Sequence, residues 1–330
     1  MFDRGPQNLI GSGSREPTLN TERPSGTEPR AGRPRRLHTN SSDRSSQVEI
    51  RDRLVVGVDG SVGSQHALDW SADIARRVGA GIELVHASSP WVGLELALPP
   101  FDYDGYRAAV SRSVDGWAAR LTGVDHHSTV IEDDASHAIL AAASEIHPTL
   151  IVLGAHPDGS VVPRKLGSTI SKVLGGAEAP VVIVPSFGGP PSDGARVVVG
   201  VDGSDSSLGA LRWAAGWAAN LDLGVYAVWV IPVGPYHEKL RLFETDGVPD
   251  ESEALPTLRA LADRVERESG ADITSDVLIG QPGAQLVDAA RDGEMLVIGS
   301  SRHGMLHALA RGSTSRVCVT RCAVPTVVVR

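Results

Sequence analysis

Two stretches of this chain carry residues suited to holding a phosphate. Gly154 is followed thirteen positions on by Gly167-Ser168-Thr169, and Gly299 is followed at the same spacing by Gly312-Ser313-Thr314. A glycine straight after a strand lets backbone come close to a ligand, because no Cβ intervenes. Gly-Ser-Thr at a helix start offers unpaired N–H groups, two hydroxyls and the positive end of the helix dipole. That is the chemistry of anion binding. Each stretch is accompanied by an aspartate, Asp59 or Asp202, at the end of an apolar run, where a carboxylate could contact a base or a ribose. Lys165 and Arg311 could add positive charge. A plainer reading exists for each group: the glycines permit turns, and the serines and aspartates cap the helices that follow. Two occurrences with one spacing favour the ligand.

The repetition extends well beyond these residues. Val55-Val56-Gly57-Val58-Asp59-Gly60-Ser61 returns letter for letter, 143 positions later, as Val198-Val199-Gly200-Val201-Asp202-Gly203-Ser204, and Trp70 and Trp213 keep that offset. Ile151-Val152-Leu153-Gly154 matches Leu296-Val297-Ile298-Gly299, and Ala179–Val184 matches Val324–Val329. Solenoid units repeat every ~20–50 residues, so this is a whole domain present twice. In the first copy the apolar patterns predict strands over 54–58, 82–87, 128–131, 150–153 and 181–184, and helices over 64–78, 106–121, 137–145 and 169–174. The second copy repeats that order, with strands over 197–201, 225–230, 273–278, 295–298 and 326–329 and helices over 208–220, 255–269, 284–291 and 313–321. Strands alternating with helices indicate right-handed crossovers and an open parallel sheet with helices on both faces, an α/β fold in tandem. Near-continuous apolar strands agree with burial on both sides. In such sheets a ligand sits outside the carboxyl ends of the strands, which here carry Asp59 and Gly154, or Asp202 and Gly299.

The division that follows is a tail over 1–50, a first domain over 51–186, a linker over 187–194 and a second domain over 195–330. The tail is rich in Arg, Ser, Gly, Pro, Thr and Glu, with few apolar residues, and is expected to be disordered. Among 330 residues, 41% are hydrophobic and 22% charged, as in an ordinary globular protein. The net charge of −9 argues against a general grip on nucleic acid. No apolar run approaches the ~20 residues of a membrane span, and residues 1–20 lack the apolar core of a signal peptide. Two cysteines cannot build a disulfide framework and suit a reducing cytoplasm. A cytoplasmic protein is expected.

The Val-Gly-Val-Asp-Gly-Ser opening and the Gly-x2-Gly-x9-Gly-Ser/Thr spacing after the fourth strand of each copy resemble the universal stress protein family. The resemblance covers nearly all of residues 52–330, as two tandem copies. It implies five parallel strands in each copy, in the order 3-2-1-4-5, with ATP at the carboxyl ends of strands one and four in the nucleotide-binding members. Carried over by position, Asp59 and Asp202 would contact the adenosine, and Ala87 and Val230 would pack near the adenine. Gly154, Gly167 and Ser168, beside Thr169, would hold ribose and phosphates in the first copy; Gly299, Gly312 and Ser313, beside Thr314, would do so in the second. The resemblance also implies pairing of the two copies through their fifth strands, 181–184 against 326–329. Both copies depart from the family at the second glycine, which is Pro157 in one and Arg302 in the other. Proline fixes φ and removes a donor. Arginine could block the pocket or grip a phosphate in a bidentate fashion. These departures favour the second copy as the binder.

Other groups suggest less. Cys318 and Cys322 have no histidine close by in sequence to complete a metal site and are expected to be buried; His303 and His307 lack a third ligand; His126-His127 falls in a polar connection expected to be solvated. No dinucleotide fingerprint, Walker loop or nucleophile elbow is present, and no base is positioned to activate water. The expected function is thus an ATP-binding regulator or sensor in stress response, with ATP alone or with Mg as ligand, no catalytic residue and no protein metal site. Its partners would be the adenine nucleotide and an unidentified protein, with room for a homodimer and none for nucleic acid or membrane. The alternatives are a nucleotide-free interaction scaffold with degenerate pockets, or a slow ATPase.

Overall fold

The structure is a computed structural model that describes residues 36–38, 53–88, 102–155, 166–187, 192, 194–233, 251–300 and 314–330. A short strand β1 (Arg36–His38) precedes the first copy. That copy runs β2 (Arg53–Gly57), α1 (Val62–Val78), β3 (Gly81–Ala87), α2 (Tyr103–Ala118), β4 (His126–Ile131), α3 (Ala135–Ile146), β5 (Leu150–Gly154), α4 (Ser168–Gly176) and β6 (Val181–Val184). The second runs β7 (Val197–Val201), α5 (Asp205–Leu221), β8 (Val225–Pro232), α6 (Glu251–Ser269), β9 (Ile273–Gly280), α7 (Pro282–Ala289), β10 (Met295–Gly299), α8 (Thr314–Arg321) and β11 (Thr326–Val329).

Within each copy the strands are parallel and lie in the expected order 3-2-1-4-5, but the two sets form one continuous sheet: β1-β4-β3-β2-β5-β6-β11-β10-β7-β8-β9. The join is antiparallel, with Thr326 opposite Ile183 and Val328 opposite Val181. Two side-chain ties reinforce it. Arg77 of α1 pairs at 2.5 Å with Glu294, whose side chain is 5% exposed, and Arg330, straight after β11, donates to carbonyls of α4. Each tie crosses from one copy to the other.

Strand alternation sorts the core into two layers. Leu54, Val56, Val197 and Val199 face α1, α2, α5 and α6, where they meet Leu68, Val114, Leu211 and Leu258. Val55 and Val198 face the opposite layer, with Ile139 of α3, Val173 of α4, Leu286 of α7 and Cys318 of α8. Fully burying one such aliphatic side chain contributes about 1.5–3 kcal/mol. Both cysteines are buried thiols of the second layer, and burial pushes both up from the ordinary thiol range. Among the described residues no helix is long and apolar enough to cross a membrane.

Two expectations need correction. Arg36–His38, within the segment expected to be disordered, pair antiparallel with Thr129–Ile131 of β4. β4 ends the first copy's sheet, and the unpaired amides and carbonyls of an edge strand recruit whatever extended chain is near. His126-His127 is exposed, as expected of a solvated pair, but it is not a connection, because it opens β4. The His127 ring lies 3.0 Å from the buried Glu83 of β3, which also accepts from Thr129 at 2.5 Å. Burial alone would raise the Glu83 carboxyl, but the His127 and Thr129 hydrogen bonds and the nearby Arg53 outweigh it and leave it below its usual value.

Candidate functional site

β2 is followed by a turn that both copies build identically. Gly60 and Gly203 each have φ 82°, a left-handed conformation that costs an L side chain roughly 1–2 kcal/mol. The Asp59 carboxylate accepts the Ser61 N–H at 2.9 Å, and Asp202 accepts that of Ser204 at 3.0 Å. Ser61 and Ser204 are the N-caps, accepting from the Ser64 and Ser207 amides at 3.2 Å each. The aspartates therefore shape the turn and do not cap the helix themselves. Asp59 and Asp202 both remain exposed at the strand ends.

Over this turn the copies use tryptophan from different elements. A Cβ on Gly60 would lie 2.8 Å from the Trp117 ring of α2, and one on Gly203 would lie 2.8 Å from the Trp229 ring of β8. In the first copy the position matching Trp229 is His86, which donates from Nδ1 to the Val58 carbonyl at 2.8 Å and meets Trp117 edge to face at 5.2 Å.

Gly154 and Gly299 are glycine for a reason other than the expected one. A Cβ on Gly154 would stand 2.1 Å from the Gly63 carbonyl, and one on Gly299 would stand 2.3 Å from that of Ser206. The close approach is to the start of the following helix of the same copy, so protein backbone imposes these glycines. A Cβ on Gly57 would meet side chains instead, the methyl ends of Ile139 and Leu153 at 2.8 and 2.9 Å.

Between these elements lies a cleft of about 330 Å³ at the carboxyl ends of β2 and β5. Asp59, Ala87, Gly154, Gly167, Ser168 and Thr169, all singled out in the sequence, border it together. Its apolar wall is Val85, Ile139 and Leu153, and its polar wall adds Ser61 and Ser64. Among the described residues this copy has four helices. Side chains cap three of them: Ser61 for α1, Asp102 for α2 and Asp134 for α3. The fourth, α4, starts at Gly167 with no side-chain cap, and that start opens into the cleft. Ser168 is thus its first helical residue and leaves the amides of the first turn to another acceptor. Next in sequence to Ala135, which lines the cleft, Asp134 accepts from the Ser136 amide at 3.0 Å and lies 3.3 Å from the Lys172 ammonium of α4. The Ser136 hydroxyl, foremost, and Lys172 bring the Asp134 carboxyl down to about 2.

In the second copy Val230 is buried on β8 opposite Leu278, and Thr314 begins α8. Pro157, Lys165, Arg302, His303, His307, Arg311, Gly312 and Ser313 lie outside the described residues, and with them the grounds for ranking the second copy first. The sequence reading missed Ser61, Ser64, Ile139 and the Asp134–Lys172 pair. Ser-x-x-Ser at 61–64 was a legible capping signal; Ile139 was visible only as one more apolar residue of a helix.

Fold and cleft define a class of proteins: tandem open-sheet α/β domains joined edge to edge, with a crevice at the carboxyl ends of central strands. The model of the universal stress protein family matches the chain twice, over residues 51–185 and 195–330. The chain belongs to that family, as a tandem member. It is 29% identical over 294 residues to a universal stress protein of Mycobacterium tuberculosis, covering 84% of this chain and 96% of the relative. It is 26% identical over 310 residues to one of Mycobacterium bovis, covering 84% and 94%. The crystal structure of a universal stress protein from Archaeoglobus fulgidus superposes with a TM-score of 0.63 at 18% identity, over 84% of this chain and 98% of that one, a likeness of fold.

Proposed function

We propose that the protein binds an adenine nucleotide, ATP, and acts as a nucleotide-dependent regulator in stress response, without serving as an enzyme. The observation that carries this reading is the uncapped start of α4 opening into a cleft with one apolar wall. The dipole and free amides of such a start suit phosphates, and the Ala87, Val85 and Ile139 side suits a flat base. A volume of about 330 Å³ falls at the small end of ligand pockets, ~300–1,000 Å³. Asp59 at the rim would contact the adenosine. Mg would arrive with the phosphates, since magnesium sites commonly use substrate oxygens and few protein ligands. Among the described residues no group of three or more His, Cys, Asp or Glu side chains could hold a metal.

Occupancy would alter the surface offered to a protein partner in the cytoplasm, with homodimerisation as a further means of control. The scaffold reading is favoured by Pro157 and Arg302 at family glycine positions. Calorimetric titration with ATP, repeated on Asp59→Ala and Asp202→Ala, separates the two readings. Micromolar binding whose stoichiometry falls in one variant supports the regulator and identifies the copy that binds. No heat at millimolar ATP, from protein free of bound nucleotide, leaves the scaffold.

A further inference from the structure

Arg330 belongs to the second copy, yet it holds a wall of the first copy's cleft. Its guanidinium donates to the Ala177 carbonyl at 2.8 Å and to that of Leu174, at the end of α4. The last carbonyls of a helix lack partners within it, and the dipole favours a cation there. The other end of the same helix, Gly167 to Ile170, borders the cleft. α4 has nine residues, about 13 Å at 1.5 Å per residue, so a shift at one end of so short a rod is felt at the other.

The grip is anchored on its own side. Val329, the neighbour of Arg330, lies opposite Gly299 in the sheet and accepts the Ser300 N–H at 2.8 Å. Hydrogen bonds thus run from the exit of β10 through β11 and Arg330 to α4. The reverse tie is missing, because the position of Arg330 is taken in the first copy by Pro185, which has no side-chain donor.

We propose that Arg330 is a positioning residue for the first copy's cleft. By holding the last carbonyls of α4 it fixes where the first-turn amides stand, and the cleft is complete only when the second copy is docked. The assignment rests on the reading of that cleft as an anion site, so its test includes a measurement that needs no ligand.

The test uses the full chain carrying Arg330→Ala, Arg330→Gln or Arg330→Lys. Hydrogen exchange without nucleotide reads the Ser171 amide, which donates to Gly167 at 3.0 Å. ATP titration in an Asp202→Ala background reads the first copy alone. The Ala and Gln variants should exchange faster at Ser171 and bind ATP about two- to fivefold more weakly, the range of one charge at a helix terminus. Lys should restore part of both. Should Ala fail to fold, Gln against Lys carries the comparison. Unchanged exchange at Ser171, or faster exchange confined to 174–177, would overturn the proposal. Absence of ATP binding in the parent would count against the nucleotide reading only, and exchange would still decide what Arg330 does.

Discussion

Gly154 and Gly63 meet backbone to backbone: a Cβ on the first would stand 2.1 Å from the carbonyl of the second, and a Cβ on Gly63 would stand 2.1 Å from the Ala155 carbonyl. The end of β5 and the start of α1 thus exclude any side chain from between them. Gly154→Ala should therefore destabilise the protein by about 1–3 kcal/mol, the usual cost of overpacking. Gly167→Ala is the matched control, because no atom of the described residues lies within 4 Å of its added Cβ and its φ is −57°. It should change stability by less than about 0.5 kcal/mol. Urea denaturation of both variants checks the pair; equal losses would show that the close approach is not what fixes Gly154.

Acid should weaken the cap and the tie to α4 that Asp134 makes. Its carboxyl titrates at about 2 in the folded protein, against 3.8 ordinarily. A lowered folded value means a contribution that is complete above the ordinary value and disappears as pH falls through the folded one. Asp134→Asn keeps an acceptor for the Ser136 amide, so near neutral pH it should cost less than Asp134→Ala, which loses a cap worth about 0.5–2 kcal/mol. Thermal melts between pH 7 and 2 should show wild type losing its advantage over Asp134→Asn below about pH 4. A constant gap across that range would contradict the assignment.

The Arg77–Glu294 pair ties the copies through a carboxylate that is 5% exposed. Arg77→Leu leaves that carboxylate buried without its cation and should cost about 3 kcal/mol. The double variant Arg77→Leu with Glu294→Leu should recover much of the loss, since an apolar pair avoids desolvating either charge. A double-mutant cycle by chemical denaturation reads the coupling, and additive losses would mean that the two side chains act independently.

Removing residues 1–38 should bare the outer edge of β4, where β1 pairs with Thr129–Ile131. An uncovered edge strand invites pairing with another chain. Sedimentation of the truncated protein should show concentration-dependent association stronger than that of the full chain. The opposite edge, β9, is blunted differently: the Asp276 carboxylate takes up the Val277 amide at 2.8 Å.

The sheet was the most legible part of the sequence. Val181–Val184 and Thr326–Val329 are short β-branched runs entered from proline, and they form strands with the bounds their residues suggest. Helices start earlier than the apolar spacing predicts: α1 begins at Val62 and α5 at Asp205, because Ser61 and Ser204 cap them ahead of the first periodic apolar residues. α2 begins at Tyr103 because Asp102 caps it, whereas Asp-Tyr-Asp-Gly reads locally as a turn. Glu83 and His127 lie 44 residues apart and meet only through the β3–β4 register, which no local pattern specifies. The purpose of Gly154 was hidden for a related reason, since what it touches lies far off in the chain.

The antiparallel join of β6 to β11 reverses the heading of the second copy. Strands of the first copy point their carboxyl ends to one long side of the sheet, and those of the second point to the other. Asp59 and Asp202 therefore stand on opposite long sides of the sheet, separated both by its breadth, about five residues or ~17 Å, and by five strand spacings, ~24 Å, along it. A small visitor at one rim has no view of the other. A partner that reports on both must straddle the slab, and two separate partners can attend one chain without competing for space.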